Sequence, residues 1–288
     1  MGQRHKKLTV LGIILLATLT TGWFFYFNKL DITKFLNYKK SVGKISEIKK
    51  DVISPPPLRS FLESKKTHLT PSGTLEWTNT QRISNGLQRL TSNSQLNSAA
   101  NRKVQDMFNR QYFEHESPDG KNAGNLAEIY GYEFIAIGEN LALGNYGNDE
   151  NLVKAWMDSP GHRANILSDK FTEIGIAVAQ GKFEGQETWL AVQIFGLPLS
   201  SCPKIDEGLK TQIDNLEMQI AELKIKSDEM QKQLDQHKKA GNYEEYNKLV
   251  PMYNKLANQI NILVAQVKGT VASYNVQVSN FNTCIDNH

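Results

Sequence analysis

The 288-residue chain carries 33 Lys+Arg against 30 Asp+Glu and 40% hydrophobic residues, enough for one or two domains with cores of their own. Its formal charge of +3 hides a segregation, because residues 76–196 hold 10 basic against 15 acidic side chains and no basic stripe with interleaved aromatics. That excludes nucleic acid as a natural ligand of this stretch, and two cysteines without CxxC spacing argue against a zinc knuckle or redox dithiol.

Arg4, Lys6 and Lys7 form a basic head, residues 1–7, and residues 8–28 follow with no formal charge. A helix of that length covers about 30 Å, the thickness of a bilayer core. The aromatic run Trp23 to Phe27 offers no small-x-small cleavage site, so the segment reads as an uncleaved transmembrane signal anchor rather than a signal peptide. Lys29, Lys34, Lys39, Lys40 and Lys44 outweigh the head in charge, so flanking charge alone does not orient the span. The short basic head and the cysteines favour the cell membrane, single-pass, with the main domains outside the cytoplasm. Residues 29–74 read as a spacer in which Pro55-Pro56-Pro57 enforces an extended segment.

Residues 75–198 read as a globular domain. Ile83, Leu87 and Leu90 predict a helix over 78–90, and Leu96, Ala99, Ala100, Val104, Met107 and Phe108 predict a second, capped by Ser92 or Ser94. Residues 122–129 predict a short helix stopped at Gly131. Asn148 or Asp149 caps another, with Leu152, Val153, Trp156 and Met157 on its apolar face. Pro160-Gly161 reads as its terminator, which puts His162 just past a helix end. Residues 174–179 and 188–195 predict strands joined by a hairpin over 182–186. Helices first and paired strands last imply an α+β layered domain, and no GxGxxG or GxxxxGK[ST] supports a nucleotide fold.

Five pieces of this stretch carry a resemblance. They are Asn79 to Arg82, Tyr112-Phe-Glu-His115 through Gly120, Gly138-Glu139-Asn140-Leu-Ala, Trp156 through Leu167, and Phe171 to Ile176. In this order the region resembles a bacterial CAP domain (cysteine-rich secretory protein, antigen 5, pathogenesis-related 1, also called SCP). The resemblance implies an α-β-α sandwich with an open cleft lined by two histidines and two carboxylates. Residue by residue, the histidines fall on His115 and His162 and one carboxylate on Glu139. The position of the other holds Ser159, and the adjacent Asp158 would point about 100° away along a helix.

Two imidazoles and a carboxylate in one cleft make a plausible site for Zn2+, or Mg2+ as the resemblance also implies, with a bound water made nucleophilic. Without metal, Glu139 can fix the tautomer of one histidine and leave a general base. Purely structural readings stand beside these. His115 anchors a loop, His162 satisfies carbonyls at a helix end, and Glu139 holds its loop through backbone amides. Arg163 and Asn165 read as pins, Trp156 and Trp189 as core, and neither Ser117 nor Ser159 sits in a nucleophile elbow.

Residues 199–288 change character. Leu209, Ile213, Leu216, Ile220, Leu223, Ser227, Met230 and Leu234 step in threes and fours, and Gly241 breaks the run. Leu249, Tyr253, Leu256, Ile260, Leu263, Val267, Thr270, Tyr274, Gln277 and Phe281 make a second seam. The two arms suggest an antiparallel coiled-coil hairpin, and extending both phases outward reaches Cys202 and Cys284, which predicts one disulfide. An intermolecular coiled coil seeded by Leu249, Met252, Ile262 and Val271 is the competing reading.

The function expected from the whole is a ligand or partner interaction at the cell envelope. The cleft would take a lipid, glycan or peptide, and the hairpin a protein. The alternatives are a metal-assisted hydrolase of envelope polymers or peptides using His115, Glu139 and His162, and a structural spacer or adhesive arm.

Overall fold

The computed structural model describes residues 42–60 and 66–288. The expected membrane span over 8–28 and the basic head before it lie outside the described residues. Among those described, no helix is long and apolar enough to cross a membrane. The described residues divide into two compact units, one within 46–203 with 283–288, the other 204–282 with 42–45.

The first unit is built on a six-stranded mixed sheet: β1 Asp51–Ile53, β2 Leu58–Arg59, β3 Thr91–Ser92, β4 Phe134–Leu143, β5 Glu173–Phe183 and β6 Gln186–Pro198. The order is β1-β4-β6-β5-β3, with β2 also paired to β4. β4 and β6, and β5 and β6, run antiparallel, and the last two turn at Glu184-Gly185, within the expected hairpin. β4 corrects the loop expected around Glu139: every residue from 134 to 143 is buried. A strand covered on both faces shows no alternation of apolar and polar residues, and Gly138-Glu139-Asn140 at its centre mimics a turn.

Among the described residues this unit has five α-helices, α1 Pro71–Ser84, α2 Ser94–Arg110, α3 Ala123–Ile129, α4 Asp149–Asp158 and α5 Pro160–Ile166, and a short 3-10 turn at Leu199–Ser201. α1 starts seven residues before the expected 78, because Thr70 accepts from the Gly73 amide and Pro71 occupies the first helical position. Its inner face is polar (Thr74, Thr78, Asn79, Arg82), while Ile83 is 51% exposed. α2 is capped by Asn93, one residue off the expected serines. Its small residues Ala99 and Ala100 are fully covered, and a Cβ added at Gly175 of β5 would stand 2.1 Å from the Leu96 carbonyl carbon. Residues of α2, α3, β4, β5 and β6 form one apolar core that includes Leu96, Met107, Ile137, Leu141, Val192 and Ile194. Cys202 and Cys284 are bonded as expected, with their Cα atoms 5.7 Å apart.

The second unit is a helical hairpin of α6 Glu207–Lys239 and α7 Tyr243–Asp286, turning at Gly241 with φ +71°. The Asp206 amide donates to Gln277, so the start of α6 lies beside the far end of α7. In α6 the buried positions Ile213, Leu216, Ile220, Ser227 and Leu234 keep the expected phase. In α7 they are Tyr253, Leu256, Ile260, Val264, Val267, Val271, Tyr274 and Val278. Beyond Ile260 the seam thus runs through Val264, Val271 and Val278 instead of Leu263, Thr270 and Gln277. A 3-4-4 step fits the 3.6-residue turn better than strict heptads and shifts the phase by one. Val271, expected as an outer seed for association, is therefore core.

Candidate functional site

Alternation along β4 decides how the site is assembled. Ile137 and Leu141 point into the α2–α3 core, so Glu139 shares that face and Asn140 takes the other. On the Glu139 side, His115 Nδ1 lies 2.6 Å from Glu139 Oε2. The His115 carbonyl in turn accepts from Lys103 Nζ at 2.6 Å. Lys103 is fully buried, with its ammonium 5.0 Å from the centre of the Tyr112 ring. Burial pulls its pKa below the usual lysine value, and the Glu139, Asp106, Glu114 and Glu116 carboxylates oppose that shift. Lys103 was missed in sequence, although it falls in the apolar stripe of Leu96, Ala99, Ala100 and Met107. A lysine in that phase is itself a signal.

On the Asn140 side a buried polar chain crosses the sheet. Thr78 Oγ1 donates to the Thr74 carbonyl and accepts from Gln193 Nε2, and Gln193 Oε1 accepts from Asn140 Nδ2 at 3.1 Å. Asn140 Nδ2 also reaches the His162 carbonyl at 3.2 Å, and Asn140 Oδ1 accepts from Asn165 Nδ2 at 3.0 Å. Arg82 fixes the far end of α5 through the carbonyls of Ile166, Ser168 and Phe171, with a further bond to Gln88.

α4 ends at Asp158, so His162 does follow a helix end, and it lies at the same time in the first turn of a new helix, α5. Pro160 starts the helix, since its missing N–H costs nothing at the first position. His162 Nδ1 is 2.8 Å from Ser159 Oγ, so the serine standing at the second carboxylate's position orients the ring. Burial pushes the His162 pKa down to about 4, and His115 adds to the shift. Asp158 is exposed and paired with Lys154 at 2.7 Å, away from the site. Trp156 is core, its Nε1 donating to the Leu141 carbonyl. Ser117 braces the turn through Asp119 and the Lys121 amide.

The expected open cleft is closed. Residues 51–59, expected within the spacer, pair with β4 at Asp51–Ile53 opposite Ala136–Gly138 and at Leu58–Arg59 opposite Ala142–Leu143. Between these strands the chain arches over Glu139 to Leu141. The Pro55 carbonyl sits on His115 Nε2, and the Ile53 carbonyl accepts from Asn165 Nδ2 at 3.4 Å. Glu139 and His162 are 0% and 1% exposed. A carbonyl only accepts, so His115 Nε2 carries a hydrogen, and a proton also lies between Nδ1 and Glu139. The imidazole therefore has no free lone pair here. Glu139 Oε1 and His162 Nε2 are buried without a hydrogen-bond partner.

The resemblance implies Zn2+ or Mg2+ at these donors. Among the described residues no group of three or more His, Cys, Asp or Glu side chains is arranged to hold a metal ion. With Pro55 in place His115 has no nitrogen to offer, so this arrangement does not fit a metal.

Residues 75–195 match the model of the Cysteine-rich secretory protein family, CAP. These residues form a CAP domain. The chain is 39% identical over 106 residues to the uncharacterized protein YkwD of Bacillus subtilis (strain 168), spanning 37% of this chain and 41% of that protein. It is 31% identical over 104 residues to the uncharacterized membrane protein YlbC of the same organism, spanning 36% and 30%. The chain thus covers less than half the length of these relatives. Among solved structures, an extracellular protein containing a SCP domain from Bacillus anthracis str. Ames is similar at 26% identity and TM-score 0.37, over 43% of this chain and 39% of that one. An outer surface protein of Borrelia burgdorferi is similar at 20% identity and TM-score 0.38, over 43% and 89%.

Proposed function

We propose that this is a cell-envelope protein, anchored by residues 8–28 with its CAP domain and helical hairpin outside the cytoplasm, and that the CAP domain binds a ligand rather than cleaving one. The observation that carries the reading is His115, whose two ring nitrogens are both engaged, one by Glu139 and one by Pro55. A general base needs a lone pair within reach of the proton it takes, and here that lone pair is covered. The α-β-α sandwich implied by the resemblance is part of this reading, as is the coiled-coil character of the hairpin. Met218, Ile225, Met252 and Ile262 are at least half exposed on the hairpin and suit contact with a protein partner.

The test is cosedimentation of the full-length chain, in detergent, with purified cell-wall sacculi, beside turnover assays on the same material. Binding without turnover, equal in wild type and Glu139→Gln, is expected. Turnover that Glu139→Gln abolishes would overturn the binding reading. The hydrolase reading draws on one feature, the pair of unpartnered buried atoms Glu139 Oε1 and His162 Nε2. Zinc titration against a His115→Ala/His162→Ala double variant tests its metal-assisted form, which requires binding that the variant loses.

A further inference from the structure

The segment over the site is held by backbone pairing with β4, by Arg59, whose guanidinium stands 5.2 and 5.6 Å from the Phe113 and Phe183 rings and 3.6 Å from Glu184, and by bonds to its carbonyls. In residues 51–60 only Pro55 is buried, while Asp51 to Ile53 and Arg59 are exposed. The side chains of the CAP domain that reach its central part all bond to backbone carbonyls. His115 takes that of Pro55, Asn165 that of Ile53, and Tyr146 that of Leu58 at 3.4 Å. Such contacts do not depend on side-chain identity, so another extended peptide would satisfy them equally.

Selectivity enters at Arg59, through the Phe113 and Phe183 rings, and at Pro55. The Pro55 ring packs on Gly161, where an added Cβ would stand 2.6 Å from the Pro55 Cβ. The four residues 54–57 also stand opposite only three of β4, 139–141, so this part of the ladder cannot pair regularly. Prolines at 55, 56 and 57 have no N–H, so the arch leaves no backbone donor unpaired there.

We infer that residues 51–59 are an intramolecular ligand, and that the site beneath them takes an extended, proline-bearing peptide of a partner protein, laid parallel to β4. This deepens the binding reading above and rests on it, naming the ligand class for the same site. The cis segment competes at an effective concentration on the order of millimolar, so a peptide in trans gains access when the segment is weakened or pulled away.

The test uses the full-length chain and a fluorescent peptide with the sequence of residues 50–60, read by anisotropy. The variant Pro55→Gly is expected to bind this peptide about tenfold or more tightly than wild type does, and not to bind a copy carrying Gly at the position equivalent to Pro55. The variant Gly161→Ala provides a second reading that leaves the segment's sequence intact. Its added methyl should raise amide exchange across residues 51–59 by about tenfold and yet give no peptide binding. Equal peptide binding by wild type and Pro55→Gly, or none by a folded Pro55→Gly chain, overturns the inference. So does unchanged exchange in Gly161→Ala. A wild-type dimer that the free peptide dissolves would make the occupant the segment of a second copy and overturn the assignment to a foreign peptide. Sacculus binding that persists while peptide binding fails defeats this inference alone, whereas its loss with peptide exchange intact defeats the wider reading.

Discussion

Arg82 in the sheet unit and Val267 in the hairpin are both buried, at 2% and 0% exposure, yet they hold their surroundings by opposite means. Arg82 ties four carbonyls, that of Gln88 and three within residues 166–171, and nothing else has the fork to do it. Val267 is one of a row of like residues along α7, each adding a similar share of buried apolar surface. The sheet unit therefore depends on single polar groups whose loss is abrupt, and the hairpin on many apolar contacts whose loss is graded. The site belongs to the first kind, held shut by a few polar bonds beside the pairing of residues 51–59 with β4.

The largest effect that would break this contrast is at Arg82. Arg82→Ala should cost the sheet unit about 4 kcal/mol in denaturant melts, because it strands buried carbonyls, and Arg82→Lys should recover little of it. A loss below about 1 kcal/mol would refute the distinction. Next is His162, held neutral with its pKa lowered from 6.5 to about 4. A depressed histidine binds its proton more readily in the unfolded chain. Its contribution is thus full above about pH 6.5 and falls away toward pH 4, by about 3 kcal/mol in all. Melts of wild type should show that slope between pH 7 and 4, and His162→Gln should flatten it. Val267→Ala should cost about 2 kcal/mol, spread along the hairpin and read by amide exchange. The smallest effect is at Asp158, whose pair with Lys154 is 68% and 61% exposed; Asp158→Asn should cost less than about 0.5 kcal/mol.

The same contrast governs what could be read from residues alone. Periodic apolar positions made α6 legible throughout, and α7 up to Ile260, where helical drift outran a strict heptad. The disulfide followed from that phase. The helix start capped at Asn148 was also plain. β4 was not, because a strand buried on both faces carries no alternation and its polar centre looks like a turn. The pairing of His115 with Glu139 was visible only as a resemblance, and the ring of His162 is oriented by Ser159, which no spacing rule connects to it beyond their shared helix start. Residues 51–59 read as a spacer because three successive prolines enforce an extended segment, yet those prolines fall between two short strands that pair with β4. Whether a groove is open depends on such a distant segment, and local pattern carries no information about that.

The bond between Cys202 and Cys284, separated by 82 positions, makes the hairpin a closed ring on the main thread of the chain. Tension applied to the two ends passes across the sulfurs and never enters the ring, which keeps about 280 Å of contour length out of reach of stretching. A protease that nicks the turn at Gly241 would likewise sever no connection: the fragments migrate as one species until a reductant is added.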